Sequence, residues 1–111
     1  MEIREGQRSE VEKFQLFDEA NAGSEFLVVE HDGRLVGYAQ YDGGRDDATI
    51  HFMESEIAGG GRAMMEWFQA NYEHLVAVSV VETAEGFYAH FGFQRAGDDG
   101  YDGFNMEWWA E

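Results

Sequence analysis

Residues 56–67 read EIAGGGRAMMEW, with Gly59, Gly60 and Gly61 running straight into a segment of helical periodicity in which Met64, Trp67 and Phe68 share one face. A glycine at a helix start forfeits a capping side chain and costs roughly 0.5 to 1 kcal/mol of backbone entropy against alanine. Three in succession imply that the backbone there must come close to something. Upstream, DDATIHFME (residues 46–54) reads as a strand. Downstream, HLVAVSVV (residues 74–81) is continuously apolar, the pattern of a strand covered on both faces. Strand, glycine turn, helix and strand make one β-α-β unit, whose right-handed crossover sets its two strands parallel. The turn from strand to helix is where backbone amides and a helix dipole can cradle an anion.

The flanking sequence extends this unit into a mixed sheet. MEIRE is a short strand, and SEVEKFQLFDEANAG (residues 9–23) reads as a helix with Ser9 and Glu12 as a capping box, Val11, Phe14 and Phe17 at helical spacing and Gly23 as its stop. EFLVVEHDGRLVGYAQY is a hairpin turning at Asp32-Gly33, a dipeptide suited to a type I′ turn. After the central unit, AEGFYAHFG is a short helix stopping at Gly92. The tail DGFNMEWW alternates Phe104, Met106 and Trp108 inward as an edge or hairpin strand, so Trp108 and Trp109 divide between core and surface. The element order is β-α-β-β-β-α-β-α-β-β. It predicts a single α+β domain spanning residues 1–111, with a mostly antiparallel sheet of about six or seven strands and helices on both faces.

Composition narrows the function classes. The chain has 44% hydrophobic and 15% aromatic residues, enough for a core, and no cysteine, so disulfides, thiolate metal sites and a cysteine nucleophile are excluded. His31, His51, His74 and His90 have no ligand spacing, which predicts no metal site. No apolar run approaches the ~20 residues of a membrane span, and MEIREGQRSE does not resemble a secretory signal, so a cytoplasmic protein is expected. Acidic residues number 23 against 7 basic ones, with Lys13 the single lysine and a net charge of -16. Such a surface repels nucleic acid and anionic membranes and attracts amines or basic segments; it is also the composition expected in a salt-filled, halophilic cytoplasm.

The spacing of the glycines selects among anion sites. No Gly-Lys-Ser/Thr follows, which removes the P-loop, and Met64 breaks the dinucleotide pattern G-x-G-x-x-G. A flexible glycine turn would serve as a bland alternative. Gly59 and Gly61, followed by Arg62, Ala63, Met64 and Met65, are similar to the coenzyme A loop of the GNAT superfamily of N-acetyltransferases. AEGFYAHFGF (residues 84–93) resembles that family's second signature, an alanine, two residues, Phe-Tyr, three residues and Gly-Phe. The two motifs stand in the family's order, and the resemblance covers nearly the whole chain. Three features depart from it. Glu56 stands where Gln or Arg is usual, Val81 where asparagine is common, and the region between the first helix and second strand is short.

The resemblance implies acetyl-coenzyme A as co-substrate and a primary amine, on a small molecule or a protein, as acceptor. It places Ala58, Gly59, Gly60, Gly61, Arg62 and Ala63 around the pyrophosphate, with Gly60 at a place tolerant of most residues. The preceding strand, Phe52, Met53 and Glu54, would lie along the pantetheine. Tyr88 would be the general acid for the departing thiolate, a role that a phenol of reference pKa near 10 can fill; alternatively Tyr88 is a core residue. Glu54 is the first candidate for the base, with Glu56 and His51 behind it. Arg62 either faces the phosphate or pairs with Glu66 one turn on. Besides acetyl transfer, two other classes fit: a GNAT-fold module that binds acyl-coenzyme A with little or no turnover, and an acidic surface protein that binds a basic partner. Dimerisation is left open.

Overall fold

The computed structural model describes residues 1–14, 25–98, 100 and 103–111. The elements are β1 (Glu2–Gly6), α1 (Arg8–Val11), β2 (Glu25–His31), β3 (Arg34–Gly43), β4 (Asp47–Ser55), α2 (Gly60–Asn71), β5 (His74–Val80), α3 (Glu82–His90), β6 (Gln94–Asp98) and β7 (Phe104–Trp109). They follow the expected order. The seven strands form one sheet in the order β1-β2-β3-β4-β5-β7-β6, parallel between β4 and β5 and antiparallel elsewhere.

The β2–β3 hairpin turns where the sequence places it. Asp32 (φ 54°) and Gly33 (φ 77°) are both left-handed, as a type I′ turn requires. On one sheet face, Leu27, Val29, Ala39, Tyr41, Ile50 and Leu75 pack under Met64, Met65 and Phe68 of α2, with Phe87 and Tyr88 of α3 and Phe91 just after it against the same cluster. Gln69 Nε2 donates to the Phe91 carbonyl at 2.8 Å and ties the two helices. On the other face, Val28 and Tyr38 pack with Val11 and Phe14, flanked by Phe26, Leu35 and Phe52.

Three expectations are corrected. The first helix spans Arg8–Val11 within the described residues, and its box is formed by Gln7 and Glu10 rather than Ser9 and Glu12. Glu10 accepts from the Gln7 amide at 2.9 Å and from Arg4 at 2.7 Å, while Glu12 lies 3.5 Å from Arg8 instead. Arg4 also reaches Glu30 at 2.6 Å, so one guanidinium joins β1, α1 and β2. Phe17 and Gly23 lie outside the described residues. Second, β7 is a hairpin strand but not an edge. It inserts between β5 and β6, which leaves β6 at the border. Third, β5 is not covered equally on both faces. Leu75 and Ala77 are buried, whereas His74, Val76 and Val78 on the alternate positions are half-buried.

No helix among the described residues is long and apolar enough to cross a membrane.

Candidate functional site

The cleft opens where β4 and β5 part company. Their parallel register ends at Ile50↔Ala77, while β3 follows β4 as far as Ser55, so Phe52–Ser55 run past the last β5 register pair. Two irregularities accompany the divergence. The β3–β4 pairing steps from Gln40↔Phe52 to Tyr41↔Ile50, which makes His51 the extra residue of a bulge. In β5 the pairing with β7 shifts between Ala77 and Val80, and Ser79 takes a left-handed φ of 55°. A bulge increases local twist, and both irregularities sit next to the point where the β4–β5 register ends.

A pocket of about 220 Å³ fills the gap, walled by Met53, Glu54 and Ser55 of β4, Gly61 of α2, and Ala84, Phe87 and Tyr88 of α3. Its size is below the ~300–1,000 Å³ of a pocket enclosing a drug-sized ligand. An acyl group and part of a narrow chain fit inside, and anything larger continues over the surface. Two larger hollows lie at the other end of the sheet, away from the glycine turn, and His90, Phe91 and Gly92 at the end of the second motif wall the larger one.

The start of α2 has the electrostatics of an anion site. Gly59 caps it with φ 85°, a left-handed conformation that favours glycine, and no side chain caps the helix. The Gly60 amide donates to Ile57 and the Ala63 amide to Gly59. The amides of Gly61 and Arg62 have no acceptor among the described residues. No carboxylate occupies the first turn of α2, although α1 carries Glu10 there and α3 carries Glu82 and Glu85. In a chain this acidic, the sparing of one helix start keeps its amides and positive dipole end available to an outside anion.

Gly60 departs from its expected tolerance. It is buried, and a Cβ placed on it would stand 2.9 Å from the Ser55 Cβ and on top of the Ser55 hydroxyl. That hydroxyl donates to the Ile57 carbonyl at 2.8 Å and accepts from its amide at 3.3 Å, holding the turn between β4 and α2. Gly61 is also tight, since its Cβ would meet the Phe87 ring at 3.3 Å.

Tyr88 projects from α3 between Phe87 (centroids 5.3 Å apart, planes at 86°) and Phe93 (5.4 Å, 66°). Burial pushes its phenol up to about 12. Glu54 faces Tyr38 across the ladder; burial and then the Glu54 charge push the Tyr38 phenol up to about 12. His51 does not line the pocket: its Nε2 lies 3.0 Å from Asp42 Oδ2. Phe52 packs beneath the opposite face of the sheet. Arg62 pairs with Glu66 at 2.9 Å, one turn along an exposed stretch. The Glu56 carboxylate lies 3.8 Å from the Arg34 guanidinium on the hairpin, which partly offsets its charge at the mouth of the turn.

Of the residues singled out from sequence, Met53, Glu54, Gly61 and Tyr88 thus wall one pocket, with Ala58, Gly59, Gly60, Arg62 and Ala63 forming the turn and helix start beside it. Ser55, Ala84 and Phe87 are additional walls. Ala84 and Phe87 belong to the AEGFYAHFGF segment and precede Tyr88 by one helical turn and one residue, a spacing that could have flagged them. Nothing local marks Ser55.

No family model matches the sequence, and no curated protein does either. Solved structures do. Ard1 from Thermoplasma volcanium superposes with a TM-score of 0.63 at 21% identity, over 78% of this chain and 70% of that one. A protein of the GNAT acetyltransferase family from Desulfovibrio desulfuricans gives 0.67 at 16% identity, over 97% and 98%. N-acetylglutamate synthase from Neisseria gonorrhoeae, solved with coenzyme A and L-arginine, gives 0.67 at 20% identity over 99% of this chain, which spans 33% of that larger protein. The chain has the fold of the GNAT superfamily of N-acetyltransferases.

Proposed function

We propose that the chain is an N-acetyltransferase that moves the acetyl group of acetyl-coenzyme A directly to a primary amine of a small molecule or a protein. The observation carrying this reading is the convergence, at one divergence of β4 from β5, of a strand end that runs past its last β5 register pair, an acid-free helix start with two uncommitted amides, and a partly buried phenol. In this reading the amides of Gly61 and Arg62 hold the pyrophosphate, and the outer edge of Phe52–Glu54 aligns the pantetheine and polarises the thioester carbonyl. Glu54, directly or through water, keeps the incoming amine neutral, with His51 a second candidate further down the strand. The amine nitrogen bonds to the carbonyl carbon as the carbon–sulfur bond breaks, and the proton lost by nitrogen must end on sulfur.

Tyr88 suits that last transfer in a particular way. Burial favours the phenol form of Tyr88, so protonating the thiolate is uphill for the phenol alone. It can hand over its own proton while receiving the one leaving nitrogen, which returns it to the phenol form each turnover. Replacing Tyr88 by Phe should lower kcat by about 100-fold or more while changing acetyl-coenzyme A affinity little. Unchanged turnover in Tyr88→Phe would contradict the assignment.

Glu56 favours a second reading, a module that binds acyl-coenzyme A with little or no turnover. Its partner Arg34 is exposed and distant at 3.8 Å, so much of its negative charge remains beside the anion site. Saturable binding without acetylation of any member of a broad amine panel would select this reading.

A further inference from the structure

A second recognition surface lies at the end of the sheet opposite the cleft. Where β4 and β5 begin and β7 ends, two open hollows of about 900 and 410 Å³ adjoin and share Trp109 and Glu111 as walls. Trp109 is 65% exposed, more than any other large apolar side chain among the described residues. Its indole is nonetheless held in place. The ring stacks on the His74 imidazole with centroids 3.7 Å apart and planes 15° apart, and the Ala110 amide donates to the Glu73 carbonyl at 2.8 Å. One face of the indole is covered, and the other is left for a ligand.

The charges around that ring are nearly all of one sign. Asp46, Asp47, Glu73, Glu107 and Glu111 line the two hollows. The basic groups there are His74, His90 and Arg95. Both carboxylate oxygens of Glu85 already bind Arg95, at 2.6 and 2.9 Å, and its guanidinium lies 3.9 Å from the Phe104 ring centre. A rigid indole face ringed by carboxylates attracts ammonium and guanidinium groups through the ring quadrupole and through charge-assisted hydrogen bonds.

The shape argues for a chain rather than a free amine. The paired hollows run from the end of α3 across β7 to the start of β4, and Gln94, Arg95 and Ala96 of β6 wall the larger one. β6 is the border strand among the described residues and is exposed throughout, the setting in which an added strand can pair. We propose that this groove docks an extended, arginine- or lysine-bearing segment of a partner protein, with Trp109 as its anchor. The groove is separate from the acetyl-transfer cleft, so the two assignments succeed or fail independently.

Fluorescence anisotropy of a labelled alternating Arg-Gly peptide tests this, with a Glu-Gly peptide of equal length as comparison. Trp109→Ala, and separately the triple change Asp47→Asn, Glu73→Gln and Glu111→Gln, should each weaken Arg-Gly binding by about tenfold or more. A control removing equal charge elsewhere, Glu2→Gln, Asp32→Asn and Glu82→Gln, should change it by less than about twofold. Trp109→Phe, which keeps an aromatic ring over His74, should bind with intermediate strength, and melting curves establish that every variant is folded. Equal weakening by both triple variants, indifference to Trp109→Ala, binding of free arginine as tight as that of the peptide, or no binding at low salt would each overturn the proposal.

Discussion

The Ser55 hydroxyl occupies the space that a Cβ on Gly60 would need, and from there it bonds both the carbonyl and the amide of Ile57. The last residue of β4 and the first residue of α2 are thereby locked together, and the amides of Gly61 and Arg62 inherit their direction from that lock.

Gly60→Ala should therefore destabilise the fold by roughly 1 to 3 kcal/mol, the usual cost of forcing an extra methyl into a packed site. Gly86 provides the contrast: it is an exposed position within α3, and a Cβ there meets nothing within 4 Å. Gly86→Ala should stabilise by roughly 0.5 to 1 kcal/mol through helix propensity. Chemical denaturation of the two variants checks both signs. A stabilised Gly60→Ala would show that the Ser55 contact relaxes freely.

Val81 holds the N-cap position of α3 with an extended backbone (φ -95°, ψ 158°), no side-chain cap and half its surface exposed. A capping side chain there would accept from an amide of the first turn. Val81→Asn or Val81→Ser should raise stability by about 1 kcal/mol, measured as a rise in melting temperature. An unchanged melt would mean that those amides are already satisfied.

Alkali should destabilise the protein through the phenols of Tyr38, which is buried, and Tyr88, which is partly buried. Tyr88 and Tyr38 are both pushed up to about 12 in the folded state against 10 for the free side chain, so folding favours their protonated forms. The unfolded chain gives up these protons first. Stability is complete below pH ~10 and falls as pH climbs from ~10 towards ~12. At the acid side the sign reverses. Arg4 and the Gln7 amide hold the Glu10 carboxyl below its ordinary range, so stability is lost as pH falls through the folded value. Melting curves across pH should show both limbs, with the acid limb reduced in Glu10→Gln and the alkaline limb reduced in Tyr38→Phe.

The distance over which each structural signal acts explains which features were legible in the sequence. Asp32-Gly33 sets its turn from its own backbone preferences, so the hairpin could be read from two residues. The apolar faces of α2 and the alternation of β7 are similarly local. The place of β7 between β5 and β6 depends on pairing with a strand some 30 residues away, and nothing in DGFNMEWW encodes it. The start of α1 is not legible from Ser9 and Glu12 because Glu10 is fixed by Arg4 on β1, a guanidinium it shares with Glu30 on β2. The site divides in the same way. Gly59, Gly61 and Tyr88 could be found from motif spacing. Ser55 became visible once the chain had turned back on itself, and with it the need for glycine at position 60.

The central claim, that the start of α2 beside Tyr88 binds acetyl-coenzyme A, is tested most directly by the melting temperature with and without that compound, at low and at molar KCl. Ligand at about 100 times its Kd should stabilise the fold by roughly 2.7 kcal/mol, which for a chain of this size is a rise of roughly 10 °C. The account predicts that rise at one salt concentration at least, and its loss when Gly61 is replaced by Asp. A melting temperature that acetyl-coenzyme A leaves unmoved at both salt concentrations would contradict it.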